Sequence, residues 1–487
     1  MKKLKDILYK VPIEKVIGDT SVVINQLAFD SRKITTDDVF VAIKGLRSNG
    51  HLFIEQAIQK NAKVIICEIL PKTIQKEVTY IQVKDSQQAL AVMAANFYDN
   101  PSQKLKLIGV TGTNGKTTIA TLLFQLFKKA GYKTGLLSTV SIRINDASFN
   151  TTHTTPDSLT LNYYLDKMVQ EGVTHCFMEV SSHGIHQKRT EALHFTGGIF
   201  TNLTHDHLDY HSSFAEYRDT KKHFFDTLPK TAFALTNADD KNGLVMLQNT
   251  QAKKYTYALK QIADYKAQIL ENRFSGLLLR INHQELWVKL IGTFNAYNLL
   301  AIYATADLLR LEPLETLQLM STLQSVSGRF QYQVSKNNIT AVVDYAHTPD
   351  ALKNVLETIN QIRTGNEELI TVVGCGGDRD KEKRPIMGNI AASFSTKVLF
   401  TSDNPRTEDP EQIIREIEAG VQPQHYKKTL SITNRKQAIK TACQLAKEGD
   451  IILIAGKGHE TYQEINGERF DFDDFKIVNQ FLNQIQD

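Results

Sequence analysis

The chain has 487 residues, 41% hydrophobic and 23% charged, with a formal charge of +4 at pH 7. This is the composition of a soluble globular protein of about three domains, and the small charge, with no basic run of five or more, speaks against nucleic-acid binding and suits small anionic substrates. No apolar stretch approaches the ~18 residues of a membrane span, residues 1–6 carry no signal-peptide core, and Cys67, Cys176, Cys375 and Cys443 are too scattered for a zinc site or disulfide framework, which points to the cytoplasm.

Residues 1–102 read as a small α/β unit. Strands are expected at 22–24, 39–43, 63–67 and 80–83, and helices at 54–60 and 87–98. Two polar loops lie between the strands, Phe29-Asp30-Ser31-Arg32 and the glycine-bearing stretch 44–51. Either could bind a ligand or be a plain turn. Asn100-Pro101-Ser102 marks a boundary.

Residues 103–332 alternate strand and helix, as a parallel sheet with crossovers requires. The first strand runs into Gly109-Val110-Thr111-Gly112-Thr113-Asn114-Gly115-Lys116-Thr117-Thr118, and Ile119, Leu122, Leu123, Leu126 and Phe127 follow at helical spacing. Strand, glycine-rich turn, Lys-Thr and helix is the layout of a phosphate-binding loop. Successive N–H groups and the helix dipole meet the phosphates there. In such a loop Lys116 would reach the β/γ-phosphates and the Thr117 hydroxyl would hold Mg²⁺. The strict pattern has glycine where this chain has Val110; Gly109 and Gly112 straddle that position.

Three polar clusters fall at the carboxyl ends of later strands, where such sheets bind ligands. Glu179-Val180-Ser181-Ser182-His183-Gly184 offers a Mg²⁺-associated carboxylate or a helix cap. The stretch 202–211 packs three histidines and two aspartates into seven residues, which suggests ligand or metal contacts. Asn237-Ala238-Asp239-Asp240 is either a turn or a nucleotide contact. A helix at 217–225 carries both Lys221 and Lys222, and periodicity alone does not choose between them. Residues 292–298 open an Ala/Leu-rich helix whose asparagines can cap it or meet a ligand.

Residues 333–487 form a third α/β segment. Apolar strands end in Asp344-Tyr345-Ala346-His347-Thr348-Pro349, in Gly374-Cys375-Gly376-Gly377 before a charged run, in Ser402-Asp403-Asn404-Pro405-Arg406, and in Gly456-Lys457-Gly458-His459-Glu460. Arg379, Arg406, Asp403 and Glu460 suit a zwitterion, since guanidinium forks match carboxylates and acids match ammonium groups.

Together these motifs resemble the Mur ligase family across all three segments, and the missing glycine at 110 is a feature of that family's loop. Asp30-Ser31-Arg32 resembles the N-terminal hallmark of its diaminopimelate- and lysine-adding members. The resemblance implies three α/β domains: 1–102 for the UDP-sugar, 103–332 as a central P-loop parallel-sheet ATPase, and 333–487 as a Rossmann-like amino-acid-binding ligase domain. It implies an ATP-dependent ligase that adds meso-2,6-diaminopimelate to the D-Glu carboxylate of UDP-MurNAc-L-Ala-D-Glu through an acyl phosphate, in peptidoglycan precursor synthesis. ATP and Mg²⁺ are the implied cofactors, and a monomer without nucleic-acid or membrane partners is implied.

By the same resemblance, Lys116, Lys221 and His207 are catalytic. Gly112, Thr113, Asn114, Gly115, Lys116, Thr117, Thr118, Asn298, Arg329 and Asp344 bind ATP. Thr117, Glu179, His207 and a carbamylated Lys221 hold the metal; as a carbamate, Lys221 becomes an anionic oxygen ligand. Phe29 (through its backbone), Ser31, Thr154, Thr155, Ser181, Gln187 and Arg189 bind the UDP-MurNAc-dipeptide. Arg379, Asp403, Asn404, Pro405, Arg406, Gly456 and Glu460 bind diaminopimelate. The turn Asp403-Asn404-Pro405-Arg406 resembles the signature of diaminopimelate-adding members; lysine-adding ones lack the arginine. The competing readings are a lysine-adding ligase, a folylpolyglutamate synthase (which lacks this N-terminal segment) and a non-catalytic P-loop protein.

Overall fold

Most inner strands of this chain are apolar on both faces, and strands of that kind are stable only in parallel sheets covered by helices on each side. A computed structural model, which describes residues 2–45, 48–151, 153–204 and 210–484, has three such units in succession, each around its own main sheet.

The first unit orders its strands Ile13–Ile17, Thr79–Val83, Val64–Cys67, Val39–Val41 and Leu27–Ala28; all neighbours are parallel except the first pair. Alternation splits the buried residues between two cores. Val64, Ile66 and Ile81 face one, and Ile65, Cys67 and Tyr80 the other.

The central unit is an eleven-stranded sheet. Lys106–Thr111 lies at its middle, between His175–Glu179 and Gly197–Phe200, all three parallel. Helices Lys116–Lys129 and Thr293–Leu308 cover one face, and Ser158–Gln170 and Phe214–Asp226 the other. The parallel core is as expected from the sequence. Antiparallel strands extend it at both ends: Ile142–Ile144 and Ala147–Phe149 on one side, Gly276–Ile281 and Gln284–Val288 on the other. The sequence reading did not anticipate these.

The third unit orders Gln331–Val334, Thr340–Asp344, Ile451–Ala455, Leu369–Val373, Lys397–Phe400 and Thr429–Ser431, parallel after the first pair. Asp344 pairs with Ala455, Ala455 with Val373, and Val373 with Phe400. The four polar loops that follow these strands therefore emerge side by side. Between the first two units, Lys188 pairs with Asp85 at 2.7 Å. Among the described residues, no helix is long and apolar enough to cross a membrane.

Candidate active site

The strand Lys106–Thr111 ends at Gly112, whose φ is 145°. A Cβ there would lie 1.9 Å from Thr201 Oγ1, so the loop can close onto the neighbouring strand only with glycine at this position. Asn202 fixes the loop by accepting from Thr113 N (2.8 Å) through its carbonyl and from Asn114 N (2.9 Å) through Oδ1. Thr201 Oγ1 donates to the Asn114 carbonyl at 2.6 Å. The helix Lys116–Lys129 starts at Gly115 without a side-chain cap, which leaves its first N–H groups for an anion. Thr118 is buried on this helix. Gly109 has a different role: a Cβ there would meet Phe224 and Phe195 within 2.9 Å, so that glycine admits packing and is not part of the phosphate cradle.

Several predicted residues converge on this loop. Lys116 Nζ donates to the carbonyls of Gly112 (2.9 Å) and Thr113 (2.8 Å). Thr117 Oγ1 donates to Glu179 Oε2 at 2.9 Å, and Glu179, 1% exposed, also accepts from Thr139 N at 2.7 Å. Lys221 is buried, donates to the Gly112 carbonyl at 3.0 Å and lies over the Tyr217 ring. Lys222 instead turns to Asp226 on its own helix, at 2.7 Å. The structure thus resolves which of the two adjacent lysines faces the loop. Asn298, from the helix Thr293–Leu308, places Oδ1 2.7 Å from where a Gly115 Cβ would stand. His207 lies outside the described residues. Among the described residues, no group of three or more His, Cys, Asp or Glu gathers as a metal site.

A second network lies beside the Glu179 strand. Thr155 Oγ1 donates to the Glu179 carbonyl and accepts from Ser181 N, both at 2.9 Å. Ser181 caps the short helix Ser182–His186. Arg189 donates to the Thr155 carbonyl (2.6 Å) and, through Nε and Nη2, to Gln187 Oε1. Gln187 reaches Tyr210 at 3.1 Å. Thr154 accepts from the Thr139 hydroxyl at 3.0 Å. Phe29, partly exposed, and Ser31, bonded to Gln56, stand on the first unit outside this network. Asp239 and Asp240, left open in the sequence, accept backbone N–H bonds from 259–261 and from Leu203, and Asp239 also accepts from the Tyr297 hydroxyl, so both tie this strand end to distant segments.

In the third unit, the side chains of Arg379 and Arg406 meet over Gly376, and Arg406 Nη1 donates to the Gly377 carbonyl at 2.6 Å. Pro405 packs its carbonyl against Gly377. Asp403 and Glu460 gather a few residues away. Asn404 Nδ2 donates to Glu460 Oε2 at 2.8 Å, and Asp403 Oδ2 lies so close to Gly456 (φ 118°) that a Cβ there would sit 2.5 Å from it. The ammonium of Lys457, fully buried, donates to Asn404 Oδ1 at 2.8 Å and lies 3.4 Å from Glu460 and 3.7 Å from Asp403.

The sequence reading gave Lys457 no role, although a lysine between glycines just after a buried strand is a signal of enforced burial. It also missed Arg384 and Arg435, both fully buried. Arg384 binds Glu408, Glu416 and the Gly376 carbonyl. Arg435 binds Asp474 and the Ala455 carbonyl. Nothing local in the sequence distinguishes these arginines from surface ones.

Electrostatics follow burial. Asp344 accepts from Phe330 N at 2.6 Å; burial raises its carboxyl to about 6, against the pull of Arg329. Burial, then the neighbouring Asp403, pushes Glu460 up, while Lys457 and Asn404 pull it down. His459 is depressed to about 3 by burial and by Arg329, so its ring is neutral at physiological pH.

Three family models match in chain order: Mur ligase family, catalytic domain (residues 23–98), Mur ligase middle domain (110–306) and Mur ligase, glutamate ligase domain (328–458). The UDP-N-acetylmuramoyl-L-alanyl-D-glutamate--2,6-diaminopimelate ligase of Cytophaga hutchinsonii is 54% identical over 484 residues, 99% of each chain. The ligase of the same name from Phocaeicola vulgatus is 52% identical over 483 residues, 99% of this chain and 100% of that one. A solved structure of a UDP-N-acetylmuramoyl-L-alanyl-D-glutamate--2,6-diaminopimelate ligase superposes with a TM-score of 0.70 at 32% identity, covering 100% of this chain and 99% of the other. Matched by three family models in chain order and by relatives along its whole length, the chain belongs to the Mur ligase family.

Proposed function

We propose that this chain is an ATP-dependent ligase that joins meso-2,6-diaminopimelate to the D-Glu carboxylate of UDP-MurNAc-L-Ala-D-Glu. The strongest support is the turn 403–406. It sends Asp403 toward Lys457 and Glu460 and Arg406 toward Arg379, so one loop offers acids to an ammonium and guanidinium groups to a carboxylate. Full-length relatives named for that reaction support it as well.

On this reading, residues 1–102 hold the UDP-sugar with Phe29 and Ser31, 103–332 bind ATP, and 333–487 bind the incoming amino acid. The loop 112–118 cradles the phosphates, with Lys116 moving from its carbonyl partners to the β/γ-phosphates. Asn298, Arg329 and Asp344 surround the nucleotide. Thr154, Thr155, Ser181, Gln187 and Arg189 hold the dipeptide, with Gln187 and Arg189 on its carboxylates. The γ-phosphoryl group passes to the D-Glu carboxylate and ADP departs. The amine nitrogen of diaminopimelate then attacks the acyl carbon, loses its proton, and phosphate leaves with the C–O bond. The protein positions the groups and neutralises charge.

The hydroxyl of Thr117 and the buried carboxylate of Glu179 are hard oxygen donors that fit Mg²⁺. Together with His207 and Lys221 they would hold it, and it would supply charge neutralisation to the transferring phosphoryl group. Lys221 as a buried ammonium would oppose a cation; carbamylation turns it into an anionic ligand. All three units of one chain contribute to the site, which supports a monomer, and the four free, buried cysteines suit the cytoplasm.

Phosphate release with UDP-MurNAc-L-Ala-D-Glu, with diaminopimelate and lysine offered separately, tests the reading. Diaminopimelate-dependent release is expected. Release that ignores the amine, or that requires lysine, would overturn it.

A further inference from the structure

The amine end of the amino-acid pocket holds two acids, Asp403 and Glu460, yet the ligand proposed above presents a single distal ammonium. Two buried carboxylates around one ammonium leave an excess negative charge, and that excess favours a ligand whose side chain ends in an ammonium alone. Lys457 removes it. Its ammonium is fully buried, 3.7 Å from Asp403 and 3.4 Å from Glu460, and it reaches both acids' neighbour Asn404 at 2.8 Å. Asn404 in turn donates to Glu460 Oε2 at 2.8 Å, so the amide couples lysine and acid in one network.

Two other cations are nearby but already matched. Arg469 lies 3.8 Å from Glu464, and Arg435, which also feels Asp403 and Glu460, is balanced by its own buried partner Asp474. Arg379 and Arg406 lie by Gly376, with Arg406 Nη1 on the Gly377 carbonyl. The pocket therefore combines these arginines with two acids of which one is already compensated.

We propose that Lys457 is a specificity-determining positioning residue: by compensating one of the two acids, it makes the pocket select a zwitterionic amino-acid head over a lone side-chain ammonium. This rests on the functional reading given above. Lysine and diaminopimelate share the distal ammonium and differ in the carboxylate beside it. With Lys457 in place, a lone ammonium gains one acid and leaves Arg406 facing an empty place. Without Lys457, the second acid attracts that ammonium and offsets the loss. Specificity here is a difference of two affinities, and Lys457 acts mainly by weakening the wrong one.

The test uses the full-length protein. Lys457→Met removes the charge at similar length, Lys457→Arg keeps it, and Asn404→Asp adds a negative charge at the lysine's own acceptor while leaving the lysine in place. For each, kcat/KM is measured with diaminopimelate and with lysine, alongside the KM for ATP and the Tm. In Lys457→Met and in Asn404→Asp the diaminopimelate-to-lysine ratio falls about tenfold or more while the KM for ATP stays within about twofold. Lys457→Arg keeps the wild-type ratio.

A purely structural role would lower both amino acids in parallel or raise the KM for ATP, and either result overturns the inference. If Lys457→Met fails to fold, an unchanged ratio in Asn404→Asp overturns it instead. Wild-type protein that does not use diaminopimelate brings down the functional reading and this inference with it; wild-type protein that does, with variant ratios unmoved, brings down the inference alone.

Discussion

Arg329 Nη2 donates to Thr117 Oγ1 at 3.0 Å. Arg329 comes from the segment that leads into the third sheet, and Thr117 is the second residue of the phosphate-loop helix. The guanidinium also stacks on Tyr345 at 4.6 Å, one residue beyond Asp344. One arginine thus ties the glycine-rich loop to the Asp344 strand end of the third unit. Arg329→Ala is expected to weaken ATP binding by about tenfold or more, the value of a lost charge-assisted hydrogen bond. Calorimetric titration of ATP checks it, and an unchanged Kd refutes the link.

Asp344 carries a pH dependence with a definite sign. Its carboxyl titrates at about 6 in the folded chain, against 3.8 ordinarily, because burial outweighs Arg329. The native state therefore holds this proton more tightly than the unfolded state. The contribution of Asp344 to stability is greatest below 3.8, falls as pH rises to about 6, and is constant above that. The whole fall amounts to about 3 kcal/mol. Asp344→Asn should flatten that part of a Tm-against-pH curve between pH 4 and about 6. A variant curve that keeps the wild-type slope in this window would assign the titration to another group.

Lys221 and Lys222 differ by one position and by partner, the Gly112 carbonyl for one and Asp226 for the other. The Lys222–Asp226 pair spans one helical turn between a buried lysine and a partly exposed aspartate. Lys222→Ala should keep kcat within about twofold. Lys221→Ala removes a buried group that lies against the Gly112 carbonyl, and kcat should fall about 100-fold or more. Steady-state phosphate release separates them; equal losses in both would contradict the assignment.

The phosphate loop was legible because its chemistry needs contiguous residues: turn, lysine and hydroxyl all fall within one short segment. The parallel order of strands was legible because burial on both faces leaves continuous apolar runs. The choice between Lys221 and Lys222 was not, because each helical residue turns the side chain by about 100° and the helix begins at Phe214, earlier than its periodicity suggested. Gly109 stood beside the missing glycine at 110 without a stated reason; it is required by Phe224 and Phe195 from distant segments. The edge strands near 276–288 carry no motif and gain their place only by pairing. Lys457 stood inside a noticed motif, but its partners Asn404 and Asp403 are more than fifty residues away, brought near because Ile451–Ala455 and Lys397–Phe400 flank the strand Leu369–Val373 in the third sheet.

Arg406 holds a positive φ of 52° and is fixed at its backbone by bonds to Glu464 and Asn466. Its side chain contributes Nη1 to Gly377 and leaves the rest of a planar fork for a carboxylate. Arg406→Ala should lower kcat/KM for diaminopimelate by about 100-fold, since a bidentate carboxylate pair is lost from a sheltered site. The KM for ATP should hold. An unchanged kcat/KM for diaminopimelate would remove Arg406 from the pocket's specificity.

Arg435 and Asp474 form a bidentate pair, at 2.8 and 2.7 Å, with both side chains fully buried. Arg435 also donates to the Ala455 carbonyl at 3.1 Å, at the point where the strand Ile451–Ala455 gives way to Gly456 and the Lys457 loop. Removing either partner leaves an uncompensated buried charge, which costs about 3–5 kcal/mol. Asp474→Asn and Arg435→Met should each lower Tm by several degrees and raise the KM for the amino acid more than that for ATP, because the disturbance begins beside Gly456. The double change Arg435→Met with Asp474→Leu removes both charges together and should recover much of the stability, as exchanging a buried pair for apolar groups often does. Urea unfolding of the three variants measures this. If the double variant is no more stable than the worse single one, the pair's value lies in the bond to Ala455 and not in mutual compensation of charge.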